Sequence, residues 1–148
     1  MYKRKTWREK LADDKGFPRV IPVTGAMARR FGKGTCVIPS PKAVDAIMKK
    51  VSRGKLLTIN QIREELAKKH KADFACPITT GIFAWIAAHA AEEDAADGKK
   101  KITPYWRTLK NGGELNPKYP GGIANVKRKL KAEGHRFFSK GKRWFVAA

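Results

Sequence analysis

Residues Pro104-Tyr105-Trp106-Arg107 set two aromatic rings and a guanidinium side by side in the chain. Rings of this kind can stack on a nucleobase, worth about 1–3 kcal/mol per base. The guanidinium can bind a phosphate or a base edge, or it can pair with a carboxylate inside the fold. Neighbouring strand residues face opposite ways, so one of Tyr105 and Trp106 is expected in the core and the other in a pocket. Neither ring suits neutral-pH acid–base or nucleophilic work: a phenol has a pKa of ~10 and an indole only donates. Tyr119, Gly121 and Gly122 precede a predicted helix, whose free N–H groups favour an anion; a tight turn is the other reading.

The remaining reactive side chains are sparse. Cys36 and Cys76 are the two thiols, and neither belongs to a CxxC pair. No zinc site, other metal site or disulfide framework follows. Cys76 precedes Pro77 with no flanking cation, which argues against an activated thiolate. His70, His89 and His135 lack metal-ligand spacing. No catalytic residue and no cofactor is predicted.

Charge is the strongest bulk signal. The chain of 148 residues carries a formal +20. Residues 1–34 hold 10 basic and 3 acidic side chains, residues 35–98 hold 9 and 8, and residues 99–148 hold 14 and 2. Two flanks of one sign predict a polyanion partner, because each neutralised phosphate releases counterions. Double-stranded DNA is the first expectation, with RNA as a competitor. No apolar run approaches the roughly 20 residues of a membrane span. The basic N-terminus has no apolar segment behind it, so a secretory signal is not expected. A cytoplasmic monomer, associated with the nucleoid, fits these features.

The elements that must position these groups follow from local signals. Residues 1–35 read as a basic N-terminal arm, and residues 36–148 as the folded domain. Ser40 caps a helix begun by Pro41 and closed by Gly54, with Val44, Ile47, Met48 and Val51 in one stripe. Leu56 and Leu57 suggest a short strand. Thr58 and Gln61 form a capping box for a helix with Ile59, Ile62 and Leu66 inward. Residues 71–77 read as a loop. A third helix begins at Thr79 or Thr80 and sets Ile82, Phe83, Ile86 and Ala90 on one face. The two helices make a helix-turn-helix pattern. Residues 102–109 read as a strand or extended segment that Pro104 limits to an edge, followed by a turn at "NGGE". A fourth helix buries Ile123, Val126 and Leu130 and stops at Gly134. "HRFFSKGKRWFVA" alternates aromatics about a turn, as a basic β-hairpin does. The predicted class is α+β, mostly helical: a winged-helix-like domain with a helix-turn-helix and a C-terminal basic hairpin.

The order of these pieces resembles the C-terminal domain of alkylguanine-DNA alkyltransferases. The matching residues are Gly54, Lys55 and Thr58; Gly81; Pro104 and Arg107; Tyr119, Gly121 and Gly122; and Glu133, Gly134 and His135. The similarity covers about residues 40–140 and is greatest to the alkyltransferase-like branch, which lacks the reactive cysteine. It implies a winged helix that enters the DNA minor groove and flips a damaged nucleotide into a pocket. It places Tyr105 where the family has its cysteine and Trp106 where it has its histidine, so no atom there accepts an alkyl group. The implied lesion pocket comprises Tyr105, Trp106, Arg107 and Tyr119, with Glu133 as a structural acceptor for Arg107. The implied DNA contacts are Ile78, Thr79 and Thr80 on the recognition helix, where Ile78 could wedge between base steps. They are joined by Lys110, Lys118, Gly121, Gly122, Lys127, Arg128, Lys140, Lys142 and Arg143.

Three functions stay open on these grounds. The first is a non-enzymatic DNA-binding protein that holds alkylated or distorted sites for a repair-pathway partner. The second is an active methyltransferase-type repair protein using Cys76. The third is a basic nucleic-acid-binding protein without lesion selectivity.

Overall fold

The computed structural model describes residues 5–32 and 34–147. Met1–Arg4, Lys33 and Ala148, which belong to the predicted arm and to the domain's end, lie outside them. The fold is mixed α+β, with helices dominant and three small sheets among the described residues.

The largest departure from expectation is at the start of the chain. In place of an arm, the described residues form α1 (Trp7–Ala12), β1 (Arg19–Val23), α2 (Gly25–Phe31) and β2 (Gly34–Ile38). Thr6 and Glu9 close a capping box on α1. β1 and β2 pair antiparallel from Arg19↔Ile38 to Val23↔Gly34, so the predicted boundary at residue 36 falls inside a paired strand. The sequence hides this pairing because one partner strand carries Pro22 and the other is flanked by glycines, both poor local strand signals.

Next come α3 (Pro41–Lys49), β3 (Leu57–Thr58) and α4 (Ile59–Lys69). The Ala43 amide donates to the Ser40 hydroxyl at 3.2 Å. The Gln61 amide donates to Thr58 Oγ1 at 3.2 Å, and the Thr58 amide donates to Gln61 Oε1 at 2.8 Å. α3 ends at Lys49, and Gly54, at φ 83°, shapes the turn beyond it instead of closing the helix.

Residues 71–77, predicted as a loop, contain β4 (Phe74–Ala75), which pairs parallel with β2. The chain enters α5 (Pro77–Ala96) directly afterwards, with Cys76 as the cap residue. The link between α4 and α5 is therefore longer than a tight turn and carries a strand. Thr79 and Thr80 lie inside the first turn and do not cap it. Thr80 donates to the Cys76 carbonyl at 2.6 Å, and Thr79 Oγ1 is buried without a partner.

α5 is apolar almost all round and forms the axis of the core, packing on α1, α3 and α4. The predicted strand over 102–109 is a 3-10 turn at Tyr105–Arg107 followed by β5 (Thr108–Leu109), which pairs parallel with β3. Asn111–Gly113 form a second 3-10 turn. α6 (Gly122–Ala132) buries Val126 and Leu130. β6 (Phe137–Lys140) and β7 (Arg143–Val146) pair antiparallel, and the Leu115 amide ties the pair to the rest through the Trp144 carbonyl at 2.9 Å.

Candidate functional site

The four predicted pocket residues are filled from within. Tyr105 is fully buried, with 0% exposure. Its hydroxyl donates to Glu92 Oε1 and accepts from Asn125 Nδ2 at 3.0 Å. Burial pushes the phenol well above its usual range, and the Glu92 carboxylate adds to the effect. Tyr119 is also buried, with its ring 5.7 Å from that of Tyr105 in an edge arrangement. Both tyrosines belong to the main buried core, whereas Trp106 and Arg107 of the same 3-10 turn are only partly buried.

Trp106 and Arg107 converge on Glu133 instead. Trp106 Nε1 donates to Glu133 Oε2 at 2.9 Å. Arg107 grips both carboxylate oxygens, through Nε to Oε1 at 2.9 Å and through an Nη to Oε2 at 2.9 Å. Its other Nη donates to the Val51 carbonyl at 2.7 Å, and the Gly54 amide reaches Glu133 Oε1 at 3.4 Å. The Glu133 side chain is 5% exposed. Burial alone would raise its pKa; the bonds from Arg107, Trp106 and Gly54 outweigh that and hold it below the usual carboxylate value. The structural role predicted for Glu133 is thus what the geometry displays, and Arg107 has few donors left for a ligand. Trp106 is half-buried, with Lys129 Nζ 4.5 Å above its ring.

An open cleft lies elsewhere, over the first half of α5. Its walls are Ile78, Gly81, Ile82 and Trp85 on the helix and Lys110, Asn116, Pro117 and Lys118 opposite, enclosing about 460 Å³. A second recess of about 250 Å³ shares Gly81, Lys110 and Asn116 and is backed by Ile59, Leu109 and Tyr119. Ile78 is 53% exposed and Ile82 is 45% exposed. The sequence grouped Ile82 on one face with Phe83, Ile86 and Ala90, which are buried. Because α5 is apolar on every side, its periodicity has no phase, and the outward face cannot be told from the inward ones. Trp85, Asn116 and Pro117 were not predicted. The available signal was the pair Ile78 and Ile82 bracketing Gly81.

Gly81 is unusual for its freedom. A Cβ built there meets no heavy atom within 4 Å, and the residue has an ordinary helical backbone. Neither φ nor crowding requires glycine, yet glycine in mid-helix costs about 1 kcal/mol relative to alanine. What a side chain would occupy is the cleft.

The other predicted contacts are spread over the surface. Lys110 and Lys118 are exposed on the cleft wall; Lys110 lies 3.8 Å from Glu114. Gly121, at φ 77°, caps α6, and a Cβ there would collide with the Asn125 side chain at 2.5 Å. The Gly122 amide is taken by the Tyr119 carbonyl at 2.9 Å, so the tight-turn reading is sufficient for this pair. Lys127 Nζ sits 3.5 Å from the Trp144 ring centroid. Arg128 bonds Asn125 at 2.6 Å. Lys140 and Lys142 are exposed, and Arg143 bonds Glu114 at 2.7 Å.

Cys36 and Cys76, distant in sequence, meet in a small core with Val23 beneath β1 and β2. Burial pushes the Cys36 thiol up to about 11, and the adjoining Cys76 adds to the shift. Among the described residues no group of three or more His, Cys, Asp or Glu could hold a metal ion, and no helix is long and apolar enough to cross a membrane. No family model, curated protein or solved structure matches the chain.

Proposed function

We propose that the chain is a non-enzymatic DNA-binding protein of alkyltransferase-like type, with α4, β4 and α5 acting as the helix-turn-helix and β6–β7 as the wing. The observation that carries this reading is the cleft at Gly81. An apolar slot on the exposed half of a helix, rimmed by Lys110 and Lys118, suits a planar base with its phosphates on the lysines. Ile78, exposed in the first turn of α5, is placed to wedge at a base step. The lesion site in this reading lies at the α5 cleft, which Tyr105, Trp106 and Arg107 do not line; of the four residues the resemblance put in the pocket, only Tyr119 backs the adjoining recess.

The reading involves no group transfer. The Tyr105 phenol is buried and bonded, and Trp106 offers only an N–H that Glu133 already accepts. Transfer to Cys76 has less support, since that thiol is buried against Cys36 beneath the β1–β2 pair. The protein would instead hold alkylated or distorted duplex for other repair factors.

Gel-shift titration of matched duplexes, with and without an alkylated guanine, tests the reading. Tighter binding to the alkylated duplex, with unchanged intact mass after incubation, is the expected result. Equal affinity for both duplexes points to a general nucleic-acid-binding protein. A mass increase of one alkyl group on a cysteine defeats the non-enzymatic assignment.

A further inference from the structure

Among the described residues, four large hydrophobic side chains stand open to water: Val20, Ile78, Ile82 and Phe138. The two isoleucines belong to the cleft. Phe138 is 49% exposed and lies far from it in the chain, on β6. The register of the hairpin pairs Phe138 with Phe145 and Lys140 with Arg143. Side chains alternate along each strand, so these four share one face. The opposite face presents Phe137 and Trp144, which pack on the main core.

On the outward face the Phe138 and Phe145 rings are stacked, with centroids 5.2 Å apart and planes 11° from parallel. The Arg143 guanidinium lies 5.2 Å from the Phe145 ring and is anchored by Glu114. Lys140 and Lys142 are exposed beside it, and neither makes an ion pair among the described residues. A cross-strand aromatic pair stabilises a hairpin by at most about 1 kcal/mol. That accounts for the stacking. It does not account for a phenylalanine left half open and flanked by cations, where a threonine or tyrosine would pair as well at lower cost in exposed apolar surface.

We propose that this face is a stacking platform for the unpaired bases of a single-stranded nucleic acid. The chemistry is specific to a single strand. In a duplex the base faces are covered by their neighbours, whereas an unpaired base exposes a π-face to Phe138 and its flanking phosphates reach Lys140 and Lys142. Such contact tolerates any sequence, because every base has a π-face. The site is separate from the α5 cleft but lies on the hairpin that the duplex reading uses as its wing, so the two are told apart by the relative loss of single strand and duplex.

Fluorescence anisotropy tests it with labelled oligo-dT and oligo-rU of about 15 nucleotides and a short duplex of mixed sequence. Phe138→Ala is expected to weaken binding of the single strand about fivefold or more and to weaken the duplex by much less. Phe138→Trp is expected to restore it. Lys140→Glu, which leaves the ring pair intact, is expected to weaken the single strand too. The proposal is overturned if Phe138→Ala binds both oligonucleotides like the wild type, or if it loses duplex and single strand equally. A wild type that binds duplex but neither oligonucleotide defeats the platform and leaves the duplex reading standing. Phe138-dependent binding of either oligonucleotide without duplex binding does the reverse.

Discussion

Gly81 and Glu133 carry opposite lessons about what a single residue is for. Gly81→Ala adds a methyl where there is room for it, so it should raise helix stability by about 1 kcal/mol and the melting temperature by about 2–4 °C. If the cleft takes a base, the same methyl narrows it and weakens binding to alkylated duplex; a stabilised variant with undiminished affinity excludes the cleft from binding. Glu133 shows no such conflict. Removing one member of a buried ion pair strands the other, so Glu133→Ala should cost about 3–5 kcal/mol in urea unfolding. Its folded pKa lies below the ordinary 4.5, so its contribution is complete above that value and fades as pH falls through the lower folded value. Glu133→Gln should flatten this acid loss. The Arg107–Glu133 pair was anticipated only through the resemblance of the segments that carry them, since complementarity alone does not single out Glu133 among 13 carboxylates. That one of Tyr105 and Trp106 is core was expected; that it is Tyr105 was not legible, because the choice follows from a 3-10 turn that residue types do not specify.

Among the elements, α1 is the one whose attachment can be read most directly. Three carboxylates in the last turns of α5, Glu93, Asp94 and Asp97, oppose the helix dipole. Arg8 from α1 meets all three, at 3.9, 3.6 and 2.6 Å. Trp7 stacks on His89 with centroids 4.4 Å apart and meets Trp85 edge-on at 4.7 Å. Burial lowers the His89 pKa below its ordinary 6.5. The unfolded chain then binds a proton more readily than the folded one, so stability is full above pH 6.5 and declines as pH drops through the folded value. Melting curves at pH 7.5 and about 5.5 should show this loss in the wild type and less of it in His89→Gln. If both proteins respond alike, His89 is not the sensing group. Capping residues made α3 and α4 legible, since Ser40, Thr58 and Gln61 act within one turn. The pairing of β2 with β4 was not, because a partner far along the chain leaves no local mark.

Across the whole molecule the charge of +20 should dominate the response to salt. Affinity for duplex is expected to fall steeply with ionic strength. Replacing Lys110 and Lys118 with alanine should make the log–log slope shallower by about 2, one per phosphate contact, and uniformly across sequences. An unchanged slope would separate these lysines from the phosphates. The basic flanks were visible from composition, but their placement was not: the first flank is folded onto α5 and β2 instead of lying along a ligand. That arrangement bears on how the chain comes together as it is made. β2 needs β4 on its second edge and α1 needs the far end of α5, so the surroundings of these early segments are complete only when residues up to Ala96 are in place. These segments are thus among the last to find their place, and a ribosome halted before α5 is complete would hold out a positively charged, unfinished strand pair.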